Sequence, residues 1–142
     1  MASTIHSTVV AVIVMLCLTG VLLSGLALGE HYNTKPSPCS INDKWDCGMV
    51  NHSPYATLRG VPVAMIGILG YALIAAIAGR LPRVTVLVSL FALLFSLRLT
   101  WIEWKKLGVW CIYCVSSQVV IGLVFLFALI AFALHKRRAR SH

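Results

Sequence analysis

The stretch Trp110-Cys111-Ile112-Tyr113-Cys114 heads the last long apolar run of the chain, just after the helix-discouraging Gly108. Two cysteines at i and i+3 share one face of a helix, close enough to close a small disulfide ring. In a first helical turn, free backbone N–H groups and the helix dipole stabilise a thiolate, the reactive form of the side chain. C-x-x-C alone also fits half of a zinc site or two idle buried thiols. The residues around it have to decide.

The run behind this motif is one of several. At 59% hydrophobic and 11% charged residues, with a mean hydropathy of +0.89, the chain is too apolar for an ordinary soluble domain. A helix needs about 18 or more apolar residues to cross a bilayer. Four candidate spans fit, at about 7–28, 61–79, 84–104 and 110–134, within a single membrane domain over 1–142. The expected fold is an all-α membrane protein, a four-helix bundle with a long outer loop (29–60) between the first and second helices. The first run has no Lys or Arg before it and only a weak cleavage site at Leu26-Ala27-Leu28, so it reads as a retained helix.

The net charge of +8 is placed asymmetrically. Arg80, Arg83, Lys136, Arg137, Arg138 and Arg140 lie outside the apolar runs with no Asp or Glu beside them. The 29–60 loop balances Lys35, Lys44 and Arg59 against Glu30, Asp43 and Asp46. Excess Lys and Arg mark the cytoplasmic side, which puts both termini there and the loop outside. A nucleic-acid face is not expected, because no aromatic or polar groups interleave the basic tail.

Small residues Gly20, Ser24 and Gly25 in the first run, and Gly60, Gly67 and Gly70 around the second, suggest tightly packed helix faces. Cys17 reads as a small buried apolar side chain. The short link Arg80-Leu81-Pro82-Arg83 makes the second and third spans antiparallel neighbours. Trp101, Trp104 and Trp110 cluster as boundary aromatics do, with Glu103, Lys105 and Lys106 just outside. The outer loop holds Cys39 and Cys47, and Asp43-Lys44-Trp45-Asp46 between them is expected to form a short helical turn. All four of Cys39, Cys47, Cys111 and Cys114 then sit at one end of the bundle.

A non-cytosolic face is where disulfides form and persist. Two cysteine pairs there, one on a mobile loop and one on a helix, permit a relay by thiol–disulfide exchange. The helix pair, at the membrane edge, could pass two electrons to a lipid-soluble carrier. Other readings stay open at this point: structural disulfides in a membrane scaffold, a zinc site completed by His31 or His52 despite the poor Cys39-x7-Cys47 spacing, or a channel or assembly protein with incidental cysteines.

Cys39-x7-Cys47, Ser53-Pro54-Tyr55-Ala56-Thr57, Gly60-Val61-Pro62 and Cys111-Ile112-Tyr113-Cys114 together resemble the vitamin K epoxide reductase family in its bacterial form. The resemblance runs over nearly the whole chain. It implies a four-helix bundle around a quinone, of ubiquinone, menaquinone or vitamin K type, with no metal. Electrons would flow from a thioredoxin-like partner through two cysteine pairs, supporting disulfide formation in exported proteins. By the same resemblance Cys39 exchanges with the partner, Cys47 with Cys111, and Cys114 adjoins the quinone ring, while Ser53 matches a loop serine before the second span. The expected location is a bacterial inner membrane, with the site facing the periplasm.

The sequence departs from animal members, where a tyrosine follows the second active-site cysteine by four residues; here that residue is Gln118. An asparagine of those members falls on Ala56. Vitamin K epoxide reduction in the endoplasmic reticulum is therefore the alternative activity. With no fused thioredoxin-like domain after the fourth span, the partner is expected to be a separate protein. Helical spacing from Cys114 adds Ser117 and Gln118 as candidate quinone contacts. Arg98, within the third run, either snorkels to the interface or faces the bundle.

Overall fold

The computed structural model describes Met1–His142. Four helices make the body: α1 (Ala2–Tyr32), α3 (Val63–Ile77), α4 (Pro82–Ile102) and α5 (Ile112–Arg140), with a five-residue helix α2 (Cys47–Asn51) in the loop after α1. Three of these are long and apolar enough to cross a membrane: α1, α4 with its extension to Leu107, and α5. The fourth, α3, is apolar but shorter at 15 residues.

The helix boundaries differ from the hydropathy reading for identifiable reasons. At the start of the second apolar run, Thr57–Leu58 (β1) pairs antiparallel with Val61–Pro62 (β2) in a minute hairpin. Its two-residue turn places Arg59 at φ 52° and Gly60 at φ 85°, the doubly left-handed geometry that favours Asn-Gly and tolerates Gly at its second position. The hairpin consumes residues that hydropathy alone gives to α3. Helices α1 and α5 instead run beyond their apolar stretches, α5 through the basic tail. The segment 43–46 is a turn rather than a helix. The Asn42 side chain accepts from the N–H groups of Lys44 and Trp45 at 2.9 and 3.1 Å, an Asx turn that competes with helix formation.

Helix α1 packs along both α3 and α5, α5 also packs on α4, and α3 and α4 touch each other only lightly. The core joins Ile13 and Cys17 of α1, Tyr71 and Ile74 of α3, and Val120, Ile121 and Val124 of α5. Gly20 faces the ring of Tyr71 so closely that a Cβ would overlap it. At Gly67 a Cβ would come within 2.8 Å of Ser24 Oγ, whereas Gly25 and Gly70 face open space. Small residues therefore mark the α1–α3 contact at only part of the expected positions.

The outward faces are as apolar as the core. Met15, Leu22, Leu87 and Phe91 are 64%, 63%, 65% and 73% exposed. Each large apolar side chain left in water forfeits about 1.5–3 kcal/mol of burial. Those four alone amount to roughly 10 kcal/mol, comparable to the whole stability of a domain. Helices apolar on all sides are satisfied by lipid, and the chain is an integral membrane protein.

Candidate functional site

The loop after α1 carries the first cysteine pair. Cys39 and Cys47 form a disulfide with their Cα atoms 5.5 Å apart. Cys47 opens α2, which is capped by Asp46: its carboxylate accepts the Met49 N–H at 2.9 Å and the Ser40 hydroxyl at 2.8 Å. These bonds, Met49's first, hold the Asp46 carboxyl below its ordinary acidity range.

The second pair is placed by the chain between α4 and α5. After Ile102 the helix widens into a π turn, Glu103–Leu107, closed by the Gly108 N–H on the Glu103 carbonyl at 2.8 Å. Gly108 takes a left-handed φ of 68°, and the chain turns back into an extended segment. Cys111 then caps α5, its sulfur accepting the Cys114 N–H at 3.4 Å. Both Cys111 and Cys114 are free thiols. An N-terminal N–H donating to the sulfur stabilises the thiolate form, as the spacing of the motif implies.

Two backbone bonds clamp the loop to this segment. Asp46 N–H donates to the Trp110 carbonyl at 3.0 Å and Trp110 N–H to the Lys44 carbonyl at 2.7 Å. As a result Cys39, Cys47 and Cys111 lie in one buried cluster with Val50 and Val109, and Cys114 packs at its edge. The two pairs share one end of the bundle.

Two buried polar side chains connect them. Asn51 Nδ2 donates to the Cys47 carbonyl at 2.8 Å and to Cys111 Sγ at 3.6 Å, while the Asn51 backbone carbonyl meets His31 Nδ1 at 2.6 Å. A Glu103 carboxylate oxygen accepts the Cys111 N–H at 3.3 Å. Neither residue stands out in the sequence. Asn51 lies in a polar loop, and Glu103 precedes two lysines and reads as solvated. The available signal for Glu103 is that it is an acid sharing a helix turn with interfacial tryptophans, eight residues before Cys111.

Below the cysteines a cavity of about 440 Å³ opens where α3 and α4 diverge. Of its 31 lining residues 22 are hydrophobic, among them Ile66, Leu73, Phe91 and Phe95. Asn51, Ser53, Glu103, Cys114 and Ser117 contribute its polar groups. Ser117 Oγ is 2.8 Å from the Tyr71 hydroxyl, which also donates to the Ser117 carbonyl at 2.7 Å. Ser53 Oγ donates to the Val50 carbonyl at 2.8 Å.

Of the residues singled out by sequence, the four cysteines, Ser53 and Ser117 come together here. Gln118 and Arg98 do not line this cavity. Gln118 accepts a hydrogen bond from the Thr100 hydroxyl and lines a separate groove with Trp45 and Trp110. Arg98 is exposed on α4. The helical period explains the split: Ser117 and Gln118 lie on opposite sides of Cys114, about 60° and 40° away around the axis, and the cavity is on the Ser117 side.

A disulfide and a dithiol packed together above an apolar cavity are an oxidoreductase arrangement, and residues 11–129 match the vitamin K epoxide reductase family. The chain belongs to that family. Vitamin K epoxide reductase family proteins are membrane oxidoreductases, and the match takes in all four clustered cysteines and the whole cavity wall. No curated protein sequence matches the chain.

Proposed function

We propose that the protein is a thiol oxidoreductase that moves electrons from a thioredoxin-like protein to a quinone in the membrane. The observation that carries this reading is the placement of Cys114: it adjoins the buried cysteine cluster on one side and lines the cavity on the other. The dithiol of the partner reduces Cys39–Cys47 and becomes a disulfide. With Cys111–Cys114 oxidised, the Cys47 thiolate attacks Cys111 and releases Cys114. Cys39 then resolves the Cys47–Cys111 bond, which closes Cys39–Cys47 again and leaves Cys111 and Cys114 as thiols, to re-form their disulfide as the electron pair departs. The quinone supplies an acceptor for two electrons and two protons.

The cavity suits such a ligand. Its apolar walls match a ring and isoprenoid tail, and its few hydroxyl and amide groups match two carbonyl oxygens. Ser117, Ser53 and Asn51 would flank the head group beside Cys114, while the side chains of α3 and α4 exclude water. Asn51 keeps Cys47 and Cys111 in register for exchange. Catalysis here is chiefly positioning, because thiolate attack needs neighbouring sulfurs held in line.

The charge pattern supports a four-span insertion with both termini on the cytoplasmic side and the cysteines facing the periplasm of a bacterial inner membrane. The oxidised partner would then introduce disulfides into exported proteins. The test uses purified protein in detergent with a reduced thioredoxin-like protein and a short-chain quinone. Cys114→Ala should abolish quinone reduction while still exchanging with the partner at Cys39–Cys47. Quinone reduction by that variant at the normal rate would sink the proposal.

A further inference from the structure

Among the chain's four acidic residues, Glu103 alone lines the cavity. It is 4% exposed. The next three residues of the π turn, Trp104, Lys105 and Lys106, face outward: Trp104 is 59% exposed, and the Lys105 ammonium lies 4.1 Å over its ring. The widened turn therefore sends one acid inward and the bases to the surface. Single π turns recur at functional sites.

The carboxylate accepts the Cys111 N–H at 3.3 Å and shares the cavity wall with Cys114, and no cation pairs with it. Burying a carboxylate without a cation is costly, and an apolar side chain would pack this position at less cost. Besides Cys114, the cavity carries the phenols of Tyr55, Tyr71 and Tyr113, and Glu103 is its one carboxyl group. Meanwhile the relay must dispose of two protons at an apolar site. Electrons can pass between sulfurs in contact, but protons need a group that binds and releases them.

We propose that Glu103 is the proton carrier of this site, taking the Cys114 thiol proton and delivering it to a quinone oxygen in the cavity. The inference rests on the thiol-to-quinone reading. In the balanced step the S–H bonds of Cys111 and Cys114 break and one S–S bond forms. The two electrons and two protons released convert the quinone to its hydroquinone. Glu103 passes the Cys114 proton first and then, ionised again, accepts that of Cys111.

Glu103→Gln separates this role from anchoring. The amide oxygen still accepts the Cys111 N–H, but the side chain no longer carries a proton. A general acid–base group contributes about 100-fold or more, so quinone reduction should fall by about that factor while dithiothreitol still reduces Cys39–Cys47 at the normal rate. A second readout needs no quinone: infrared difference spectra between the dithiol and disulfide forms. Wild-type protein should show a carboxylate stretching band that shifts between the two states, as the Cys114 S–H that shares the cavity wall with Glu103 is lost in the disulfide, and the variant should lack it. Wild-type turnover in Glu103→Gln, or no such band in the wild type, overturns the proposal. The wild-type spectrum decides the matter even if the variant misfolds. Loss of turnover in Cys114→Ala together with normal turnover in Glu103→Gln would remove the proton carrier and leave the relay intact.

Discussion

The side-chain amide of Asn51 spans the two cysteine pairs, giving its N–H groups to the Cys47 carbonyl at 2.8 Å and to the Cys111 sulfur at 3.6 Å. Asn51→Ala removes the side-chain bonds to the Cys47 carbonyl and the Cys111 sulfur, the first of which is worth about 0.5–1.5 kcal/mol. Thermal unfolding in detergent should register that loss. Asn51→Asp keeps the shape but sets a carboxylate against a sulfur that must ionise. Transfer of electrons from Cys39–Cys47 to Cys111–Cys114 should slow by about tenfold, as followed by acid quench and mass spectrometry.

The contact between Gly20 and Tyr71 ties the bundle to the cavity. Gly20→Ala forces its Cβ into the Tyr71 ring, and overpacking of this kind costs about 1–3 kcal/mol. Tyr71→Phe retains the ring but loses both hydrogen bonds to Ser117, at about 1 kcal/mol each. Midpoints of thermal unfolding should fall in both variants. A midpoint unchanged in Gly20→Ala would mean that α1 and α3 separate more easily than their contact implies.

Asp46 links acidity to the loop. Its folded carboxyl is held below the ordinary range near pH 4 by the Met49 and Ser40 bonds. The stabilising contribution is therefore full above that range and is lost as pH falls through the folded value. Limited proteolysis of 33–46 should quicken in acid in the wild type. In Asp46→Asn, whose amide oxygen still caps α2 without titrating, this acid response should be weaker. Asp46→Ala removes the cap altogether, at about 1 kcal/mol.

Arg59 occupies the first left-handed position of the β1–β2 turn, where a non-glycine side chain costs about 1–2 kcal/mol. Asn tolerates this conformation and pairs well with the following Gly60. Arg59→Asn should raise the unfolding midpoint, corresponding to about 0.5–1 kcal/mol. Gly60→Val should lower it.

Much of the site was readable because its chemistry is carried by rare residue types at fixed spacing. Cys111 and Cys114 could be assigned to a helix start from Gly108 and the apolar run behind them. The balanced charges around Cys39 and Cys47 put that pair at the same end. Hydropathy located the helices but not their ends, since it cannot see the hairpin at 57–62 or the Asx turn at Asn42. The inward acid and amide stayed hidden because burial is a tertiary property. Glu103 is turned inside only by the π turn, and Asn51 only by the docking of α2 on Cys111. Ser117 and Gln118 were equally placed relative to Cys114, and only the packing of α3 and α4 distinguishes them.

The shortness of α3 has a consequence for the surrounding lipid. Fifteen residues at about 1.5 Å each span roughly 22 Å, against a hydrocarbon thickness near 30 Å. Its neighbours α1 and α5 are twice as long, so the mismatch is confined to one flank of the bundle, the flank that forms a wall of the cavity. In the four-span insertion proposed above, acyl chains there would shorten or splay to meet it, at a fraction of a kcal/mol per ångström. That insertion would leave the bilayer thinnest beside the cavity wall, and activity in vesicles should fall as the lipid chains are lengthened.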